Sequence, residues 1–239
     1  MAIRFTEDFY KENKELITET VKKIGKPVLV EMWKERFFYF VLKWEFNYVD
    51  NSGKASALST DQIDVENSDR YGIEFIDENN EPQNPIILHN SPSGAIERVI
   101  YTLLEKAATD SREGRKPQLP LWLAPTQVRL IPLKEEFLDL SNEVSNVLSK
   151  NNIRADIDDR NDSIGKRIRD AEKEWIRYIL VIGEKESLKK LTVRDRITGN
   201  EKEMNSDELI DVIHSQISGK PISGLNLPLL VSKRPVIQV

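Results

Sequence analysis

Three stretches of this 239-residue chain carry side chains whose types and spacing could do chemistry. Leu88–Leu104 (LHNSPSGAIERVIYTLL) joins a short strand to a helix through a Ser/Pro/Gly turn and puts Arg98 near the helix start. At about 100° per residue, Arg98 lies roughly half a turn from the centre of that helix's apolar stripe. A planar fork of donors there can reach a phosphate, and a helix start favours an anion. A solvated helix arginine is the simpler account of the same placement. Thr60, Gln62 and Asp64 alternate along a strand (STDQID), so they share one face. They line a cleft or sit on an outer, solvated face. His89, between strand and turn, could ligate a metal, yet zinc wants three or four protein ligands and no second His or Cys lies nearby in sequence. His214, beside Ile213 in the last helix, reads as structural or solvent-facing.

The third stretch, Asp158–Arg169 (DDRNDSIGKRIR), leads from a strand end into a helix start, the usual ligand side of open α/β sheets. Arg160 and Asn161 could read an exposed base edge, and Lys166, Arg167 and Arg169 could hold phosphates. A solvated amphipathic helix balanced by Asp162, Asp170 and Glu172 fits equally well. Gly165 alone is no phosphate loop, since neither a Walker nor a GxGxxG pattern is present.

These residues need elements to position them. Before a polar stretch at Thr109–Lys116 and the following PQLPLW, the pattern predicts a helix over Asp8–Ile24 with Phe9, Leu16, Ile17, Val21 and Ile24 on one face. Antiparallel strands follow within Lys26–Trp33, Arg36–Tyr48, Ala55–Glu66, Tyr71–Asp77 and Pro85–Leu88, with turns at Asp50–Gly53 and Glu78–Glu81. The Ser93–Ala107 helix turns Ile96, Val99, Ile100, Leu103, Leu104 and Ala107 inward. After the polar stretch, strands alternate with helices. The strands are Val128–Leu133, Ile153–Ile157, Tyr178–Ile182 and Leu191–Ile197. The helices are Lys134–Lys150, Ser163–Trp175 and Ser206–Ser218, the last capped by Ser206. That alternation argues for a mostly parallel sheet covered by helices. The tail Gly219–Val239 reads as an extended strap.

Composition bounds the rest. At 39% hydrophobic and 31% charged residues the chain should fold as a globular protein. No apolar run approaches the roughly 18–20 residues needed to span a bilayer, and no basic n-region precedes an apolar segment at the start, so a cytoplasmic protein is expected. With no Cys, disulfides, thiolate metal sites and a Cys nucleophile are excluded. Net charge is −5, so nucleic-acid binding must come from a local patch.

The ordered set STDQID (59–64), ILHNSPSGAIERV (87–99), LPLWLAPTQVRLIPL (119–133), DDRNDSIGKRIRDAEKEW (158–175) and LVIGEKE (180–186) resembles the threonyl-tRNA synthetases of archaeal type over essentially the whole chain. The resemblance implies an α/β protein with an α+β first half. Residues 1–115 would be the end of a class II catalytic domain, a truncated antiparallel sheet containing motif 3 but not motifs 1 and 2. Residues 116–239 would be an α/β anticodon-binding domain, a mixed sheet flanked by helices. It further implies that Arg98 is the motif-3 arginine for ATP, that Thr60 and Gln62 line the threonyl-adenylate pocket, and that His89 is one of three protein ligands of a zinc ion. Asn161, Arg169, Glu186 and Arg194 fall at the anticodon face, with Arg160 and Lys166 beside them. Arg177 stands where the family often has Pro, and Ala95 where it often has Ser or Gly.

The motif-2 arginine, the dimer-forming motif 1, the other two zinc ligands and the editing domain lie upstream of what aligns to residue 1. Losing one electrostatic group from a transition-state site costs about 10²–10³ in rate. The expectation is therefore a part of a threonine–tRNA ligase that alone forms no adenylate, retains neither ATP nor zinc, and binds the anticodon stem-loop of threonine tRNA. The alternative is a natural truncated or split subunit, or a non-catalytic tRNA-binding module, working with a separate catalytic or editing chain. The family's homodimer is implied for the parent, and no membrane partner is expected.

Overall fold

The computed structural model describes residues 1–235, which fall into two compact units, Met1–Thr109 and a second that begins at Asp110. The first unit opens on a strand that sequence patterning missed, β1 (Ala2–Thr6). Helix α1 (Glu7–Ile24) follows directly: Thr6 caps it by accepting from the Phe9 N–H at 3.2 Å, and Gly25 ends it. β2 (Leu29–Trp33) then pairs with β1 in parallel, not antiparallel as expected. An 18-residue helix is long enough to return the chain to the same end of the sheet. β3 (Phe40–Val49) and β4 (Ala55–Asp64) form a long antiparallel hairpin. Beyond them come a short helix α2 (Asn67–Arg70), a two-residue hairpin β5–β6 (Phe75–Ile76, Pro82–Gln83), and β7 (Ile87–Ser91). The sheet order is β2-β1-β3-β4-β7. Of Tyr71–Asp77 only Phe75–Ile76 is strand, and the edge strand lies later than Pro85–Leu88.

Ile3, Phe5, Ile17 and Leu42 make the core of this unit, with Phe9, Val21 and Trp44 packed around them. Leu16, expected inside, is half exposed. The larger correction concerns α3 (Ile96–Arg112). Of its apolar stripe only Ala107 is buried, while Ile96 is 75%, Ile100 52% and Leu104 50% exposed. Periodicity identifies a face that seeks cover but not what covers it.

The second unit has its sheet in the order β12-β11-β10-β8-β9. β8 (Val128–Pro132) lies between β9 (Ala155–Ile157) and β10 (Tyr178–Ile182) and is parallel to both. β11 (Leu191–Asp195) and β12 (Glu201–Met204), the latter unforeseen, add antiparallel strands. α4 (Leu138–Lys150) follows a 3-10 turn at Glu135–Phe137 and packs Val144 and Leu148 into the core beside Leu209 and Ile213 of α6 (Ser206–Ile217). α5 (Ile164–Lys173), capped by Ser163, covers another part of the sheet with Ile164, Ile168 and Ala171. α6 is capped by Asn205 rather than Ser206: Asn205 accepts from the Glu208 N–H, and Glu208 accepts from the Asn205 N–H, a reciprocal box.

The described part of the tail does run as a strap. Ile157 donates its N–H to the Leu229 carbonyl at 2.9 Å, Arg154 binds Ser223, and Ser232 donates to Asp159 at 2.6 Å. Arg234 reaches Asp156 at 2.6 Å. Residues 236–239 of the expected strap lie outside the described residues.

Asp156 has no exposed side-chain surface and holds the equally buried Arg129 through a two-point fork, 2.9 and 2.8 Å. Removing one partner of a buried pair leaves an uncompensated charge in the core, at a cost of about 3–5 kcal/mol. Asp156→Ala should lower the unfolding free energy of the second unit by that much in urea titration, and a loss below 1 kcal/mol would refute a structural role for the pair.

Candidate functional site

One face of the first sheet is a polar row. Register places Glu31, Arg4, Lys43, Gln62 and His89 side by side on β2, β1, β3, β4 and β7. Arg4 binds Glu31 and the buried Glu45, each at 2.6 Å, and Lys43 binds Glu45 at 2.5 Å. Burial alone would raise the Glu45 carboxyl, but the two cations hold it below its ordinary value. Tyr39 donates its hydroxyl to Gln62 Oε1 at 2.7 Å. Thr60 lies one step along the same face, opposite Ser91.

His89 Nε2 lies 2.7 Å from the Asp64 carboxylate, and the ring meets Tyr39 edge-on. Asp64 is fully buried, which by itself would raise its carboxyl. Backbone N–H groups of Asn67 and Glu66, the His89 ring and the Asn67 amide override burial and hold it well below the carboxylate range. Metal-bound imidazoles commonly give their second nitrogen to such a carboxylate. Among the described residues, however, no three His, Asp or Glu side chains converge as a metal-binding group. His89 and Asp64 fit one ligand and its support, not a whole metal site.

Arg98 does face away from the α3 stripe. It is exposed, donates to the Ala57 carbonyl at 3.1 Å, and shares a cleft of about 460 Å³ with Lys43, Ser56 and Tyr101. The turn before it is fixed by Gly94: φ is +64°, and a Cβ there would meet the Leu58 carbonyl oxygen at 2.1 Å. Arg98 is thus brought together with Lys43, a cation that sequence reading passed over inside a strand. Alternation along KWE, polar-apolar-polar beside the polar face of STDQID, was the signal available.

In the second unit the three parallel strands β9, β8 and β10 end on the same side of the sheet, where ligands of open α/β sheets bind. Leu133–Lys134 follows β8, Asp158–Asp162 follows β9 and Gly183–Glu186 follows β10. Two clefts open there. One of about 450 Å³ is mostly apolar, lined by Phe137, Ile168, Ile179 and Val181, with Glu186 and Arg194 at its border. The other, about 520 Å³, is polar, lined by Lys134, Asp159, Arg160, Asn161 and Arg167.

Of the sequence candidates, Arg160, Asn161, Glu186 and Arg194 line these clefts, while Lys166 and Arg169 lie outside both, and the six differ in freedom. Arg160 is bound to the buried Asp158 by a fork at 2.8 and 2.7 Å and to Asp170 at 3.2 Å, so its guanidinium braces the loop and is held well above its ordinary value, chiefly by Asp158. Lys166 is paired with Asp162 at 2.6 Å. Glu186 spends both oxygens, on the Gly183 N–H and the Thr192 hydroxyl. Arg194 lies between Glu172 and Glu201. Asn161 and Arg169 are exposed and make no side-chain contact of these kinds among the described residues. Lys134, Leu133 and Phe137 were not singled out from sequence, because only the strand order shows that the end of β8 adjoins the ends of β9 and β10.

Residues 127–216 match the family model described as anticodon binding domain. Threonine–tRNA ligase of Nitrosopumilus maritimus is 70% identical over all of this chain, and that of Pyrococcus horikoshii 57% identical over 98% of it. The chain spans about two fifths of these relatives, 39% and 38% of their lengths, and the match is to their carboxy-terminal part. The RNA binding domain of threonyl-tRNA synthetase from Cryptosporidium parvum has the same fold, with a TM-score of 0.71 at 22% identity, over 93% of this chain and 55% of that one. No helix among the described residues is long and apolar enough to cross a membrane.

Because folding depresses the Asp64 carboxyl, its ionised form stabilises the native state. That contribution is complete above the unfolded carboxyl's value of about 4 and is lost as pH falls towards the lower folded value. The stability gap between the chain and its Asp64→Asn variant should therefore be constant from about pH 8 to 5 and shrink below about pH 4. Denaturant titrations across that range check it; a gap that grows on acidification would reverse the assignment.

Proposed function

We infer, for a chain that belongs with the carboxy-terminal portion of threonine–tRNA ligases, that it works in the ATP-dependent attachment of threonine to its tRNA and that its own share is to grip the anticodon stem-loop. The observation that carries this reading is the gathering of Lys134, Asn161 and Arg194 around two clefts at the parallel strand ends, within residues that match an anticodon-binding domain. Splayed loop bases present stacking faces and unpaired edges, and apolar walls beside amide and guanidinium donors suit both. Asn161 and Arg194 read base edges, and Arg169 and Lys166 meet the backbone. Arg160 and Glu186 act chiefly by holding the loops that carry them, as their internal bonds favour.

The first unit, taken to end near residue 115, supplies the remnant of a substrate pocket. Thr60 and Gln62 would face the threonyl group, and Arg98 with Lys43 the phosphates of ATP, whose chemistry is to activate the amino acid's carboxyl. His89 would give one ligand to a zinc ion whose other ligands come from outside this chain. With so little of that machinery present, the chain alone forms no adenylate. Its setting is the cytoplasm, together with the portion that completes catalysis.

Fluorescence anisotropy with labelled anticodon stem-loops tests the reading. Asn161→Ala and Arg194→Ala should each weaken binding of the threonine loop by about 1–3 kcal/mol, the scale of a specific base contact. They should cost a loop with an unrelated anticodon much less; equal losses would remove base reading. Lys166→Ala should lower the slope of log Kd against log salt by about 0.7, as one lost single-strand phosphate contact does. Threonine-dependent exchange of pyrophosphate into ATP should stay at background for the chain alone, and turnover above it would overturn that part.

A further inference from the structure

The two clefts of the second unit share a wall, formed by Leu133 and Lys134 at the end of β8. Leu133 is 44% exposed, which for a lone surface leucine would mean nothing. Its surroundings are not those of a stray side chain. Its N–H donates to the Ile182 carbonyl at 2.8 Å, so its backbone is tied to the end of β10. Its side chain rests on the bare Cα of Gly183: a Cβ there would fall 2.5 Å from Leu133 Cδ1. Gly183 itself is fixed by its N–H to Glu186 Oε2 at 3.0 Å. A glycine and an anchored carboxylate thus hold an exposed apolar side chain upright between two cavities.

The cavities differ in the way two neighbouring bases would need. On one side Phe137, Ile168 and Val181 offer an apolar surface to a base face. On the other, Arg167 is 5% exposed, gives one donor to the Asp158 carbonyl at 2.8 Å, and keeps its buried Nε without a partner. Asn161 stands at the same cleft with its amide uncommitted.

We propose that Leu133 is a wedge that parts two adjacent bases of an RNA loop, sending one into the apolar cleft and the other, acceptor edge first, to Asn161 and Arg167. This rests on the anticodon reading above and adds the residue that separates the bases. An aliphatic side chain between bases replaces their mutual stacking without selecting a sequence. The clefts on either side do the selecting.

The test uses the full chain and an anticodon stem-loop of threonine tRNA with 2-aminopurine at each anticodon position in turn, a base that brightens when it leaves the stack. The unaltered chain should brighten two adjacent positions. Leu133→Ala should weaken binding about tenfold, the size of one lost base contact, and abolish the brightening, with an unchanged thermal midpoint because the side chain is surface-exposed. Gly183→Ala displaces the tip of Leu133 rather than backbone and should give the same loss by an independent route, while Leu133→Phe should keep the brightening. If the unaltered chain binds but Leu133→Ala and Gly183→Ala leave affinity and brightening as they were, the wedge is wrong and the anticodon reading stands. If the unaltered chain does not bind the loop, the anticodon reading fails and the wedge with it.

Discussion

Arg129 is a guanidinium with no exposed side-chain surface, on the inner strand β8 of the second sheet, and what surrounds it fixes that unit. Burial works against its charge, and Asp156 and Glu174 more than compensate, holding it well above its ordinary value. Asp156 is its direct cross-strand partner on β9, Glu174 follows α5, and Arg234 joins Asp156 from the tail. A strand pair, a helix end and the strap thus converge on one cluster. Such a cluster contributes little net stability compared with an apolar core, but it tolerates few arrangements, since any shift strands a charge. The Asp158–Asp162 loop begins two residues beyond Asp156, so the placement of Asn161 at the ligand side descends from this pair.

The second unit was more legible from sequence than the first, for a physical reason. Strands buried on both faces read as apolar runs, and Tyr178–Ile182 was found to the residue. The first unit hides its pairing. β1 is five residues set against a helix, and the parallel β1–β2 pair depends on a crossover that no local pattern reports. The α3 stripe was legible as apolar and illegible as exposed, because periodicity records what a face is made of and not what lies against it. At the sites, residue types survived better than roles. Thr60, Gln62 and His89 do share one face, and Asn161, Glu186 and Arg194 do border the two clefts. Which of them are already committed to an internal partner could be learned only from distances.

Those commitments bear on how an acidic chain meets an RNA. Arg160, Lys166 and Arg194 each have carboxylates within ion-pair reach. A cation held by a carboxylate is well oriented but offers a phosphate less attraction than a free one. The second unit is therefore poorly suited to hold polyanions indiscriminately, and under the proposed reading its affinity would come from contacts that a correctly shaped loop makes with bases. The first unit follows a related logic with Glu45, which places Arg4 and Lys43 on the sheet face while reducing their pull on distant anions.

The strap has one more consequence. A sheet of five strands has two outer edges, each a row of backbone groups that a neighbouring molecule could pair with. β12 defends one edge with exposed Glu201, Lys202 and Glu203. β9, a short and fully buried strand, has no charged fringe of its own, and there the tail's Leu229 and Leu230 occupy the backbone positions that would otherwise recruit a second molecule. The described part of the tail therefore covers the Ile157 end of this edge.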